Sequence, residues 1–276
     1  MAVGEIPSAS GIFSDDDFET YDVITPASDR RLVLACDHAG NRVPRALANL
    51  GLDEGQLMEH IAWDPGAAGV TRRLSSNLQA TAVLGRYSRL VIDLNRDLHD
   101  PTAFPAISDG VLIPGNIPLT VEQRAERARV FFKPYHEALR RVIQERTSTR
   151  EQPVLICVHS FTPTQLRVAR PWHVGILWDK DPRLALPLLA ALRGQRDIVV
   201  GDNEPYSGRH PADYTIDHHA EPLGLAYAAI EIRQDIIRDE SGQKEWADRL
   251  SEIFTKLFKD ESIFLRPLGE THGIES

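Results

Sequence analysis

Three short, almost wholly apolar runs that each lead to an ionisable residue constrain this chain more than any other feature. Arg31-Leu-Val-Leu-Ala-Cys36 runs into Asp37-His38, Val154-Leu-Ile-Cys-Val158 into His159, and the run from Ala226 to Ile232 carries Glu231 near its end. Runs this short, without polar alternation, predict strands buried on both faces, as in a parallel sheet covered by helices. Helical segments fall between them. Pro65 to Leu78 has Pro65 in a first turn and Asp64 as a possible N-cap. Thr120-Val-Glu-Gln123 fits a capping box, opening a helix whose stripe includes Phe131, Tyr135, Leu139 and Val142, with a kink expected at Pro134. Asp181-Pro182 caps a helix to Leu192, and Glu245 to Phe258 is a final amphipathic helix.

Further strands are expected at Ala80 to Tyr87, Leu90 to Asp93, Val174 to Trp178 and Ile198 to Val200. Together the pattern predicts an α/β fold with three layers, α/β/α, around a mixed, mostly parallel sheet. Residues 30–262 are expected to form one α/β domain, residues 1–29 a loosely attached polar arm, and residues 263–276 a tail or cover strand. The Pro- and Gly-rich stretch from His99 to Leu119 reads as a long loop, and such loops inside a domain are often functional.

A chain of 276 residues is near the upper size for a single core. Its net charge of -9, without a basic patch, disfavours nucleic acid and anionic lipid as partners. No apolar run approaches the roughly 18 residues of a membrane span, and the N-terminus lacks the basic and apolar regions of a secretory signal. Cys36 and Cys157, each inside an apolar run, suggest reduced core thiols in a cytoplasmic protein.

In sheets of this kind, sites lie beyond the carboxyl ends of the strands, which is where His38, His159 and Glu231 fall. Both histidines follow a Cys-x-His pattern, and strict alternation would put Cys36 with His38, and Cys157 with His159, on one face. Two neutral imidazoles at neighbouring strand ends suit zinc; the alternative is two histidines that only cap strand ends. Asp64 is the candidate third ligand, with plain helix capping as its other role, while Asn41 is a poor zinc ligand. Glu231, an acid in an apolar strand, either pairs with a cation such as Arg233 or faces a site as general base. Arg89, Asp93, Asn95 and Arg96 cluster in Tyr87-Ser-Arg-Leu-Val-Ile-Asp-Leu-Asn-Arg96, where Asn95 and Arg96 suit an acidic substrate. Tyr206 and Arg209, in a Gly- and Pro-bearing loop, either line the pocket or form a surface turn. Asp217-His218-His219 looks metal-like, but adjacent histidines point in different directions.

Asp37-His38-Ala39-Gly40, the Tyr87 to Arg96 block, Val158-His159-Ser160 and Ala229-Ile-Glu231 resemble, in order, the motifs of the N-formylglutamate amidohydrolase family over roughly residues 30 to 258. The resemblance implies a zinc-peptidase-like fold (zinc carboxypeptidase-like, also described as phosphorylase/hydrolase-like). It implies zinc-dependent hydrolysis of N-formyl-L-glutamate to formate and glutamate, a step in histidine breakdown, with one ion expected. On that likeness His38, His159 and Asp64 hold the metal, Glu231 is the acid/base, and Arg89 steadies the oxyanion. Asn95 and Arg96 then clamp a substrate carboxylate. The chain departs from the family where a Gly-Gly-Tyr-Ile-Thr-Arg type stretch is replaced by Tyr206-Ser-Gly-Arg-His-Pro-Ala-Asp-Tyr214, and again after Glu231. It therefore resembles a divergent branch acting on N-formyl-L-glutamate or another N-acyl acidic amino acid. The alternatives are a peptidase or other acyl-amino-acid hydrolase, and a non-catalytic binding protein on the same scaffold.

Overall fold

The computed structural model describes residues 19–26, 31–148, 150–211 and 213–266. In chain order its strands are β1 (Tyr21–Ile24), β2 (Leu32–Cys36), β3 (Thr81–Gly85), β4 (Ile107–Ser108), β5 (Val111–Leu112), β6 (Val154–Phe161), β7 (Thr164–Gln165), β8 (Val168–Ala169), β9 (Val174–Leu177), β10 (Val200–Asp202) and β11 (Tyr227–Arg233). The helices are α1 (Glu54–Met58), α2 (Ala67–Leu78), α3 (Val121–Arg127), α4 (Lys133–Gln144), α5 (Pro182–Arg193), α6 (Tyr214–His219) and α7 (Glu240–Leu257). Seven strands make one sheet in the order β1-β3-β2-β6-β11-β9-β10. The pairs β3-β2, β2-β6, β6-β11 and β9-β10 are parallel; β1-β3 and β11-β9 are antiparallel. The mixed, mostly parallel α/β sheet expected from the apolar runs is therefore present.

Each face of the sheet carries its own core. Leu34, Ile156, Val158 and Ile230 pack under α2, α5 and α7, while Val33, Leu155, Cys157 and Ala229 pack under α4 and α6. Each fully buried leucine-sized side chain contributes about 1.5–3 kcal/mol, so these alternating sets fix the register. Ala35 pairs with Cys157 in that register. Cys36 consequently faces the α2 side and Cys157 the α4 side. The matching Cys-x-His patterns are thus one residue out of step: Cys157 and His159 both lie within β6, whereas His38 lies in the turn beyond the end of β2.

Several local expectations change for physical reasons. Tyr21–Ile24, read as part of a loose arm, pairs with β3, and Asp22 takes ion pairs from Arg72 and Arg86. The rest of that arm, residues 1–18 and 27–29, lies outside the described residues. Leu90, Val91 and Ile92 are buried as expected, but Leu90 and Val91 lie in a turn and none of the three joins a strand. Their carbonyls find side-chain donors: Asn116 Nδ2 donates to Leu90 O and Arg127 Nη1 to Val91 O. A π-type turn at Ala128–Phe132 precedes α4, so the irregularity expected at Pro134 falls ahead of it, where the missing proline N–H removes a helix bond. Asp239 caps α7 through Gly242 N and starts the last helix at Glu240, ahead of the expected Glu245. Ile263 and Phe264, assigned from sequence to a tail, are buried in the core; residues 267–276 lie outside the described ones. The loop from His99 to Leu119 contains the β4–β5 hairpin and two 3-10 turns. Among the described residues, no helix is long and apolar enough to cross a membrane.

Candidate active site

The site forms where β2, β6 and β11 end. Glu231 lies opposite His159 in the parallel β6–β11 register, and continuing the β2–β6 register brings Asp37 to the other side of His159. His38 follows from the turn after β2. Asp64 reaches it from the start of α2, whose N-cap is Gly66 with φ of 86°. Asp64 therefore does not cap the helix, and its carboxylate is left for the site. Backbone bonds fasten these arms together: Asp64 N donates to His38 O at 3.0 Å, and Arg89 N to Ala62 O at 3.1 Å. A Cβ on Gly66 would stand 2.3 Å from Ile237 O, so this tight approach also needs glycine.

His38, Asp64 and His159 each offer one ligand atom, all within 4.8 Å of one another. His38 Nδ1 lies 3.4 Å and His159 Nδ1 3.0 Å from Asp64 Oδ2. The far nitrogens face other acids: His38 Nε2 is 2.7 Å from Asp93 Oδ1, and His159 Nε2 is 3.3 Å from Asp37 Oδ2. Asp37 is itself fully buried, its Oδ1 accepting from Tyr135 Oη at 2.7 Å and Thr215 Oγ1 at 2.8 Å. Arg89 donates to Asp93 Oδ2 through Nε at 3.1 Å and Nη2 at 2.6 Å, and lies 3.6 Å from Asp64 Oδ1.

Electrostatics follow from this packing. Burial alone would raise the Asp37 carboxyl, but His159, His38 and Tyr135 outweigh it and hold it at about 2. Asp64 and Asp93 are likewise held low against burial, chiefly by His38 and His159 for Asp64 and by Arg89 and His38 for Asp93. Burial pushes His159 down, yet Asp37 and Asp64 more than offset it and raise the imidazole. His38 is also raised: burial and Arg89 oppose its charge, and Asp93 and Asp64 prevail. The cage thus stabilises positive charge, whether protons on the imidazoles or a cation between them. Buried His38 Nδ1 has no hydrogen-bond partner among the described residues. Two imidazole nitrogens and one carboxylate, each imidazole backed by a further acid, are a donor set that fits a zinc-type ion with open positions.

Glu231 is buried and its Oε2 has no hydrogen-bond partner among the described residues. Burial lifts its carboxyl to about 7; His159 opposes the rise and Asp64 adds to it. It does not pair with Arg233, which binds Asp235 instead. These groups open into a cavity of about 690 Å³ that Arg89, Asn95, Arg96 and Tyr206 also line. Asn95 Oδ1 accepts from Thr215 N, so its amide anchors α6 as well. Arg209, expected near the substrate, is exposed and is not part of the cavity wall. The long loop supplies a wall through Asp100, Thr102, Pro105 and Asp109.

The Asp217-His218-His219 run disperses: Asp217 pairs with His210, His218 Nδ1 meets Tyr214 O, and His219 meets His136. Asn41 Nδ2 bonds Leu57 O, away from the metal-type cluster. Asp37 and Asp93 have no role in the sequence reading; the signal available for them was an acid inside each motif, next to His38 and within the Tyr87 to Arg96 block, and only the fold brings them to His159 and His38. Tyr135, Thr215 and Asp213 carried none, because tertiary packing alone brings them here.

The chain is similar to several known proteins. A curated N-formylglutamate deformylase of Pseudomonas putida is 24% identical over 233 residues, covering 76% of this chain and 82% of that protein. The crystal structure of a gene product from Agrobacterium tumefaciens superposes with a TM-score of 0.85 at 36% identity, over 90% of this chain and 98% of the other. An N-formylglutamate amidohydrolase structure from Ralstonia eutropha shares the fold, with a TM-score of 0.64 at 18% identity, over 88% of this chain and 98% of the other. The N-formylglutamate amidohydrolase profile matches residues 30–238, more than half of the sequence. The chain belongs to that family, and is a hydrolase acting on an amide bond.

Proposed function

We propose that this protein is a metal-dependent hydrolase of the linear amide in an N-acylated amino acid, with Glu231 as its acid/base. The observation that carries the reading is a buried carboxyl, raised to about 7 and lacking a hydrogen-bond partner, beside two imidazoles that both turn Nδ1 toward Asp64. His38, His159 and Asp64 would hold the ion. Zinc bound there would polarise the amide carbonyl and acidify water. Glu231, poised near neutral pH, takes a proton from the attacking water and returns it to the leaving nitrogen. Arg89, fixed by Asp93, presents donors to the negative charge that develops on the carbonyl oxygen. Arg96 on the cavity wall is the cation for the substrate's α-carboxylate.

N-formyl-L-glutamate, the substrate for which the family is named, is the reference compound for assay, and a place in histidine breakdown stands or falls with it. The buried free thiols Cys36 and Cys157 favour a reducing, cytoplasmic setting. The test combines metal analysis with Glu231→Gln, assayed on N-formyl, N-acetyl and N-succinyl amino acids and on dipeptides. One ion per chain is expected, with kcat lowered at least about 10²-fold in the variant. Protein that hydrolyses these amides without metal, or a variant as fast as the parent, rejects the mechanism.

A further inference from the structure

The charges on the cavity wall limit what the substrate's side chain can be. Six carboxyl groups line it (Asp64, Asp93, Asp100, Asp109, Asp213 and Glu231) against the two guanidinium groups of Arg89 and Arg96, with the imidazoles of His38, His60 and His159 also on the wall. Arg89 already sits on Asp93 at 2.6 Å, and Arg96 is held in the attraction of Asp93 and Asp100. On the loop wall, Asp109 faces His60 at 3.0 Å. Asp213, also on the wall, is 5% exposed, its Oδ1 accepting from Ile216 N at the start of α6, and burial pushes its carboxyl up.

Further cations nearby do not change the balance. Arg209 is exposed and off the cavity wall. Arg170 gives its guanidinium to Thr162, Gln165 and the hydroxyl of Tyr206, and also stays off the wall. A divalent ion is matched by Asp64 and Glu231, and the α-carboxylate of any N-acyl amino acid takes Arg96. A second substrate carboxylate would then face Asp100 and Asp109 on the loop wall, which have its own sign, while Asp213, whose charge burial opposes, supplies no cation to offset them. A carboxylate desolvated without a cation is strongly disfavoured.

We propose, resting on the hydrolase reading above, that this cavity selects N-acylated amino acids with an uncharged or cationic side chain and discriminates against a second carboxylate. Its substrates then differ in charge from the compound that names the family, while the amide chemistry is kept.

The experiment compares kcat/KM of the zinc-loaded protein on N-formyl-L-glutamate, its neutral isostere N-formyl-L-glutamine, and N-formyl-L-lysine. Glutamine and lysine derivatives should exceed the glutamate derivative by about 10- to 100-fold at low salt, from one like-charge contact across the cavity. The gap should narrow at high salt. It should also narrow in Asp100→Asn/Asp109→Asn, where asparagine at position 100 can still cap its turn. A glutamate derivative hydrolysed as fast as glutamine, in dilute buffer, overturns the charge selection and leaves the hydrolase reading intact. If no N-formyl compound is hydrolysed by metal-loaded protein, the hydrolase reading is overturned and the selection with it.

Discussion

Replacing Asp37 with asparagine keeps the side-chain volume and removes one charge and one acceptor. In the native site Tyr135 and Thr215 occupy Oδ1, at 2.7 and 2.8 Å, so Oδ2 is the oxygen left for His159 Nε2 at 3.3 Å. An asparagine that keeps its oxygen toward those two hydroxyls turns its NH2 on His159 Nε2. Two N–H groups then face each other, and His159 relieves the clash by moving its proton to Nδ1, the atom that faces Asp64. A protonated Nδ1 has no lone pair to give a metal. Loss of such a supporting carboxylate typically costs 10- to 100-fold in metal affinity, about 1.4–2.7 kcal/mol. Zinc affinity by chelator competition, with nitrogen NMR of the His159 ring, measures both halves of this chain of effects. Tyr135→Phe, which keeps the charge, should weaken zinc binding less. An Asp37→Asn protein that binds zinc as tightly as the parent, with His159 still protonated at Nε2, would refute the reasoning.

Three further outcomes are expected. Glu231 must be ionised to act as a base, and burial places it at about 7; a bound cation can only lower that value. The acid limb of kcat/KM should therefore lie at or below pH 7, and a limb centred above pH 8 would contradict the assignment. His136 and His219 are buried neighbours held at about 3 and about 4, below the ordinary 6.5, chiefly by burial. Leu94 O can only accept, so His136 Nε2 donates to it and His136 Nδ1 accepts from His219 Nε2. Since the unfolded chain takes up protons first, this stability is complete above pH 6.5 and is lost as pH falls toward 4. At pH 5 the loss is about 2 kcal/mol per histidine, which urea titrations of the parent and of His136→Gln/His219→Gln should resolve. Gly66→Ala meets Ile237 O and a φ of 86°, so denaturant unfolding should show about 2–4 kcal/mol of destabilisation.

The parts of the fold that are legible in sequence are those fixed by local pattern. Leu32–Cys36, Val154–Phe161 and Tyr227–Arg233 are apolar enough to be central strands wherever they pair, and the Thr120 capping box is a local hydrogen-bond device. His38, His159 and Asp64 could be named as candidates from residue type and position, with capping as the rival role of each, but that their ligand atoms lie within 4.8 Å of one another is a tertiary fact. The turn at Leu90 and Val91 was not legible, because β-branched apolar residues suit a strand and only the distant Asn116 and Arg127 make another path affordable to the backbone. For Arg209 the sequence left two readings, pocket wall or surface turn, and its side chain is exposed and off the cavity wall, a choice that loop composition does not encode. The one-residue offset between Cys36 and Cys157 was also hidden, since register is decided between strands and not within either one.

That offset has a consequence for how the centre responds to change. Because Ala35 and not Cys36 lies beside Cys157, consecutive residues serve different histidines: Asp37 braces His159, whereas His38 is itself a candidate ligand braced by Asp93. A single dipeptide is thus both donor and scaffold, and a shift at the tip of β2 displaces the two imidazoles together. Attempts to retune one of them independently, by redesign or by drift, would have to begin at Asp93 or Asp64, where the supports separate.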